Sequence, residues 1–137
     1  SFMAERLGGV PEGYIQKAQN NCAGGYEATK RLLSLPVPPT ALFAADDMLA
    51  IGALAAAADL GRAVPDDLSV VGFDDIPICA FVRPALTTVR QPIEALGRKA
   101  VELLLAMVRR EAGADSPQCL LLEPELVVRN TCGPPAK

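Results

Sequence analysis

The sequence contains no histidine and no tryptophan among its 137 residues, and aromatic residues make up only 4% of it. Without histidine, the chain cannot use a Ser-His-Asp or Cys-His catalytic arrangement, a histidine metal ligand or an imidazole general base. The scarcity of aromatic rings argues against a stacking platform for single-stranded nucleic acid. A net charge of −3 also argues against a basic groove for duplex DNA and against binding to an anionic membrane surface.

The composition is otherwise that of a folded protein, because 50% of the residues are hydrophobic and the length suits one compact domain. The cysteines are Cys22, Cys79, Cys119 and Cys132. They form no C-x-x-C pair, so neither a zinc knuckle nor a redox motif is predicted. Residues 1–13 show no basic region followed by an apolar run. We therefore expect no signal peptide, and free thiols in a cytoplasmic protein.

Strand and helix patterns alternate along the chain. Strands are predicted at residues 14–19, 42–45, 68–73, 86–90 and 126–128, and the second and third are continuous apolar runs typical of strands covered on both faces. Helices are predicted from Gly24, from Asp46 or Asp47 to Leu60, and over residues 93–110. This order predicts an α/β fold with a three-layer parallel sheet flanked by helices and joined by right-handed crossovers.

The helix that begins at Asp46 or Asp47 is apolar nearly all the way round. A helix that covers a sheet on one side normally has a polar stripe on the other. We therefore expect its outer face to meet another protein surface, where Gly52 and the neighbouring alanines permit close approach.

Two aspartate pairs, 46–47 and 74–75, directly follow consecutive predicted strands. Ligands of parallel sheets bind beyond the carboxyl ends of the strands, so both pairs are expected to face one crevice. Three interpretations remain open: the pairs cap helices and turns, they bind a polyhydroxyl ligand, or they hold Mg²⁺ for phosphoryl chemistry. The third also needs a nearby lysine, whereas the next strand end offers Arg90 and Gln91. No glycine-rich nucleotide loop is present.

Three blocks of sequence resemble the LacI/GalR family of bacterial transcription regulators, in the family's order and spacing. They are PPTALFAADDMLAIGA at residues 38–53, VPDDLSVVGFDDIP at residues 64–77 and PALTTVRQP at residues 84–92. The resemblance implies one lobe of a periplasmic-binding-protein-like domain, in which a sugar or similar small molecule binds between two lobes. It assigns the ligand site to Asp46, Asp74, Arg90 and Gln91, with no catalytic residue, metal or cofactor. Asp46 departs from the family's usual asparagine and adds a charge to the site.

The same resemblance implies a homodimer. The dimer residues are expected to be Met48, Ile51, Ala55, Ile78, Phe81 and Val82. The family's helix-turn-helix head, hinge and first lobe have no counterpart in this sequence, nor has the first strand of this lobe. Operator DNA is therefore expected to bind only through that missing head, and the apolar stripe of the 93–110 helix is expected to pack on the missing lobe or on a second copy.

The predicted organisation is a vector remnant and the end of a truncated helix at residues 1–7, the effector-binding and dimerisation lobe at 8–131, and a tail at 132–137. The expected function is that of a LacI-type regulator, a repressor controlled allosterically by its effector, and not of an enzyme or a membrane protein. The alternative is a sugar-binding protein that serves a transporter and shares the fold.

Overall fold

The computed structural model describes residue 10, residues 13–109 and residues 119–134. The helices are α1 (Cys22–Leu33), α2 (Asp47–Asp59) and α3 (Ile93–Val108), and a short 3₁₀ helix spans Pro77–Ala80. The strands are β1 (Ala41–Phe43), β2 (Ser69–Asp74), β3 (Thr87–Arg90) and β4 (Glu125–Val127). The segment predicted at residues 1–7, the predicted last residue of the third helix at 110, and residues 135–137 of the tail lie outside this description.

The strands form one sheet in the order β1-β2-β3-β4. The first three run parallel, with Phe43 opposite Val71 and Asp74 opposite Arg90. The predicted class, a partial α/β lobe with a mainly parallel sheet, is confirmed. The fourth strand departs from the parallel pattern, because β4 pairs antiparallel to β3. A parallel strand needs a crossover helix that packs on the sheet and returns the chain to the starting edge. No residue of α3 is buried, so α3 does not pack on the sheet in this way.

Helices α1 and α2 cross in close contact through two glycines. A Cβ atom on Gly52 would lie 2.0 Å from the carbonyl oxygen of Cys22, and one on Gly25 would lie 2.1 Å from the carbonyl oxygen of Leu49. Helix α1 begins two residues earlier than Gly24, because the side chain of Asn21 accepts the Gly24 N–H at 2.8 Å and caps it. The expectation that Gly52 serves contact with another protein is corrected: it serves contact with α1.

The apolar core lies between α2 and the sheet. Its buried members include Ala50, Ala53, Leu54, Leu68, Val70 and Leu86. Complete burial of a leucine such as Leu68 or Leu86 stabilises the fold by roughly 1.5–3 kcal/mol. The hydroxyl of Thr131 ties the C-terminal segment to this core, since it accepts the Thr87 N–H at 2.8 Å and donates to the Val70 carbonyl at 2.6 Å.

The predicted strand at residues 14–19 is absent from the sheet. These residues form a turn and an irregular extended segment with no ladder partner. Among the described residues no strand pairs with β1 on its outer edge, and a cavity of about 590 Å³ is lined by Tyr14, Ala18, α1 and β1. The prediction from the sequence pattern is wrong here, because a strand needs a neighbouring strand to satisfy its backbone N–H and C=O groups and the pattern does not report one.

Helix α3 keeps its predicted apolar stripe in contact with solvent. Ile93 is 59% exposed, Leu104 is 59% exposed and Met107 is 52% exposed. That this stripe packs on another lobe or a second copy stays a prediction. Within the described parts of the chain, no helix has both the length and the apolar character that a bilayer span requires.

Candidate functional site

The candidate site lies at the carboxyl ends of β1, β2 and β3. Asp46 follows Phe43 by three residues, and Asp74 follows Val71 by three residues. Phe43 ends β1, so Asp46 lies just beyond that strand, whereas Asp74 is the last residue of the adjacent parallel strand β2. Gln91 directly follows β3, so all three residues lie at the carboxyl-terminal edge of the sheet. This position is where open α/β sheets bind their ligands.

Asp46 caps helix α2. Its extended backbone precedes the helix, and its Oδ1 accepts the N–H of Leu49 at 2.8 Å. The residue is 8% exposed, and its Oδ2 has no hydrogen-bond partner among the described residues. One carboxylate oxygen therefore supports the helix, and the other is available to a ligand. Capping is a role that asparagine would fulfil equally well.

Asp74 ends β2 in a strained turn. Its φ angle is 113° and that of Asp75 is 58°, both in the left-handed region that residues other than glycine, asparagine and aspartate seldom adopt. The Asp74 Oδ1 accepts the side-chain N–H of Gln91 at 2.6 Å, which fixes the carboxylate toward the end of β3. Strain of this kind costs about 1–3 kcal/mol per residue and is concentrated at binding sites, where neighbouring contacts sustain it.

Asp75 holds two arginines beside the site. Its Oδ2 accepts from Arg90 Nε at 2.7 Å and its Oδ1 accepts from Arg129 at 2.6 Å, while Arg90 also pairs with Glu125 at 3.2 Å. Burial alone would raise the pKa of Asp75, but the hydrogen bonds and charges of Arg129 and Arg90 outweigh it and hold that pKa below its usual value. The Arg90 guanidinium, a predicted ligand residue, is thus engaged with two carboxylates of its own chain.

Asp47 lies in the interior, with 1% of its surface exposed. Its oxygens accept the Thr88 hydroxyl and, at 2.8 Å, the N–H of Ile76. The expectation that both aspartate pairs face one crevice is therefore wrong for one member of each pair. Asp46 and Asp74 lie at the strand ends, whereas Asp47 and Asp75 bind groups of their own chain through hydrogen bonds and ion pairs.

The predicted dimer residues are distributed over α2 and the segment that follows β2. Phe81 is 71% exposed, Ile78 is 47% exposed and Met48 is 42% exposed, and Ala55 is also exposed. Ile51 and Val82 are half-buried against the core. We refer to these six residues as the apolar surface. It combines the exposed ring of Phe81 and exposed aliphatic side chains with two residues that pack on the core.

The arrangement offers hydrogen-bond acceptors to a ligand rather than a reactive group. The free oxygens of Asp46 and Asp74 and the carbonyl oxygen of the Gln91 amide can accept from several hydroxyl groups at once. No group of three or more His, Cys, Asp or Glu side chains in the described ranges could hold a metal ion. The chemistry available is recognition of a molecule that carries many hydroxyl donors.

Sequence reasoning did not identify Thr88 and Arg129, which support the site from β3 and from the end of the chain. Thr88 is completely buried, and the Arg129 guanidinium bridges Asp75 and the Leu86 carbonyl, the latter at 2.7 Å. Successive threonines in a buried strand signal hydroxyls that need partners, which is the one hint the sequence contains. Nothing in it pairs Arg129 with a residue more than 50 positions away.

Comparison with known proteins places the chain in a family. Residues 2–132 match the model of the periplasmic-binding-protein-like domain. The HTH-type transcriptional repressor PurR of Escherichia coli O139:H28 (strain E24377A / ETEC) is 36% identical over 129 residues, which are 94% of this chain and 37% of that protein. The chain therefore spans little more than a third of the length of this curated relative.

Solved structures of LacI-family proteins resemble this chain in fold as well as in sequence. A regulatory protein of the LacI family from Chloroflexus aggregans superposes with a TM-score of 0.83 at 38% identity, covering 96% of this chain and 47% of the other. A LacI family transcriptional regulator from Enterococcus faecium with bound ribose gives a TM-score of 0.73 at 32% identity, over 85% and 42% of the two chains. The chain belongs to the periplasmic-binding-protein-like domain family, as one lobe of the kind found in LacI-family regulators.

Proposed function

We propose that this lobe binds a sugar-like effector and supports dimerisation in a LacI-type transcriptional regulator. The observation that supports the proposal is that Asp46 and Asp74 both lie at the carboxyl-terminal ends of adjacent parallel strands, where Gln91 contacts Asp74. The ribose bound to the Enterococcus faecium regulator supports a sugar as the effector class.

The effector is expected to present hydroxyl groups to these side chains. A carboxylate accepts hydrogen bonds and donates none, and a bond from a hydroxyl to a charged oxygen is about twice as strong as a neutral one. Asp46 supplies one free oxygen beside a helix N-terminus, and Asp74 supplies another from the strained turn. Two acceptors at fixed positions favour a ligand with at least two correctly spaced hydroxyls.

The proposed mechanism is allosteric. An effector held between this lobe and a second one favours a particular lobe arrangement, and a dimer transmits that bias to DNA-binding heads as a coupling free energy of about 1–3 kcal/mol. The apolar surface is the proposed dimer contact, because its large side chains are exposed at a well-packed base. The regulator is proposed to act in the cytoplasm, with operator DNA bound by the head and not by this lobe.

The second candidate is a sugar-binding protein that serves a transporter. Such proteins act as monomers, and the exposed Ile78 and Phe81 favour the regulator instead. Sedimentation velocity separates the two functions: a concentration-dependent dimer supports the regulator, and a monomer at all concentrations supports the transporter protein.

Thermal unfolding with D-ribose tests effector binding. At ten times the dissociation constant, one bound ligand stabilises the fold by about 1.4 kcal/mol, or about 4 °C in Tm for a chain of this size. Because this lobe contributes only half of the proposed cleft, we expect an affinity no tighter than about millimolar.

Matched alanine variants locate the binding. Asp74→Ala is expected to weaken affinity by about 10- to 100-fold, since a hydrogen bond to a charged group contributes about 1.5–3 kcal/mol. Asp66 is exposed and lies in the turn before β2, so Asp66→Ala is the control with the same change in charge. An unchanged response in Asp74→Ala, or a lack of response to any of a panel of sugars and purine bases in the parent chain, would contradict the assignment.

A further inference from the structure

The buried carboxylate of Asp47 joins three parts of the chain that are distant in sequence. Its Oδ1 accepts the hydroxyl of Thr88 on β3, and its Oδ2 accepts the backbone N–H of Ile76 at 2.8 Å. Both donors are neutral, and the side chain itself belongs to the first residue of α2.

The surroundings leave this carboxylate no room to move. A Cβ atom on Gly72 would lie 2.3 Å from Oδ1 of Asp47, so the carboxylate rests directly against the backbone of β2. Cys79 is completely buried, and burial together with the nearby negative charge of Asp47 raises the pKa of its thiol to about 12. Asp47 therefore has one fixed position relative to β2, β3 and the 3₁₀ helix.

Helix capping does not explain Asp47. The cap is supplied by Asp46, and a negative charge in the first turn stabilises a helix equally well from a solvent-exposed position. Burial of a carboxylate is costly unless its oxygens are satisfied by donors. Here the donors come from the turn and the strand that shape the candidate site, which indicates that the contact serves the site.

The turn after β2 is the element most in need of support. Asp74 and Asp75 both have positive φ angles, and Ile76 is the residue that follows them. The Ile76 N–H bond to Asp47 fixes the end of the turn, while Gln91 contacts its beginning. Release at Ile76 would let the turn relax toward ordinary backbone angles and would move the Asp74 carboxylate away from Gln91.

We propose that Asp47 is a positioning residue of the effector site: its buried carboxylate ties the strained turn that carries Asp74 to the N-terminus of the helix that carries Asp46. This role rests on the function proposed above, since it fixes the distance between the two carboxylates that face the ligand. Asp47 itself does not touch the effector.

Nuclear magnetic resonance of the 137-residue chain without ligand tests this role. Hydrogen exchange of the Ile76 amide reports the end of the turn, and the side-chain amide signals of Gln91 report its contact with Asp74. Asp47→Ala is expected to accelerate Ile76 exchange at least about tenfold and to shift the Gln91 signals, because both acceptor oxygens are lost. Asp47→Asn is expected to stay close to the parent chain, since its amide oxygen can accept from Ile76 while its NH₂ donates to Thr88.

Asp67→Ala is the matched control. Its carboxylate also accepts one backbone N–H at 2.8 Å, from Ala63, but at an exposed turn. It is expected to leave both reporters unchanged. Should Asp47→Ala fail to fold, Thr88→Val decides, because it frees the carboxylate from β3 and is expected to produce the same two changes to a smaller extent.

The decisive variant is Asp47→Ala, or Thr88→Val if Asp47→Ala does not fold. The positioning role would be overturned if this variant lowers the stability but leaves Ile76 exchange and the Gln91 signals unchanged. Failure of the parent chain to bind D-ribose would count against the proposed function alone, because the two reporters are read without ligand. The two failures are thus distinguishable.

Discussion

The close crossing of α1 and α2 predicts that adding a single methyl group at Gly52 destabilises the protein. In Gly52→Ala the new Cβ would stand 2.0 Å from the Cys22 carbonyl oxygen and 2.7 Å from the Tyr26 nitrogen. Both are backbone atoms inside a helix, so neither can turn aside as a flexible side chain would. The two helices must separate, which exposes side chains that are buried between them.

The magnitude follows from two opposing terms. Alanine is favoured over glycine within a helix by about 1 kcal/mol. Overpacking costs about 1–3 kcal/mol, and a backbone contact this short lies at the upper end of that range. We expect a net destabilisation of about 2 kcal/mol, seen as a lower urea midpoint at unchanged m-value and a Tm lower by about 6–8 °C.

Gly97→Ala provides the control. Gly97 lies in α3, and a Cβ atom there would have no neighbour within 4 Å. Only the higher helix propensity of alanine over glycine then matters, so this variant should stabilise α3 by up to about 1 kcal/mol and slow amide exchange within it. A Gly52→Ala protein as stable as the parent chain would refute the close crossing, because the same substitution must then be free of steric cost at both sites.

Three further predictions concern the rest of the fold. Because the pKa of Asp75 is lowered, its ion pairs stabilise the protein fully above the unfolded pKa of about 3.9 and are lost as the pH falls through the lower folded value. The stability of Asp75→Asn should therefore decline less in acid than that of the parent chain. Equal pH profiles of the two proteins would contradict this. Thr131→Val should cost about 1–3 kcal/mol in urea unfolding, because the Thr87 N–H loses its buried acceptor, and a neutral result would be inconsistent with that bond. Phe81→Asp should raise the dimer dissociation constant at least about tenfold in sedimentation, and unchanged association would show that the apolar surface is not the contact.

The sequence predicted most of the architecture because apolar runs and capping residues are local signals. The strands that became β1 and β2, the helix capped by Asp46 and the long third helix are all found, with ends within a few residues. The predicted strand at 14–19 was wrong because its local pattern says nothing about a pairing partner. The orientation of β4 was missed for a related reason, since it depends on where α3 packs and not on the residues of β4.

The candidate site was predictable in position but not in detail. The rule that ligands bind beyond parallel strand ends pointed to Asp46 and Asp74, and the structure has both residues at the carboxyl-terminal ends of the adjacent strands β1 and β2. The family resemblance singled out Asp46 and Asp74, but the local residue pattern alone could not tell which aspartate of each pair is taken up by internal contacts. That choice depends on the Thr88 hydroxyl and on Arg129, which are brought there by β3 and by the segment after β4.

The central claim is that a hydroxyl-rich effector binds at the ends of β1, β2 and β3. The most direct measurement is a titration of the isotopically labelled chain with D-ribose, read residue by residue from its amide and side-chain signals. The account predicts saturable shifts that centre on Asp46, Asp74 and the Gln91 side-chain amide and that are lost in Asp74→Ala. Shifts that centre elsewhere, such as along the outer edge of β1, or that persist in Asp74→Ala, would contradict it.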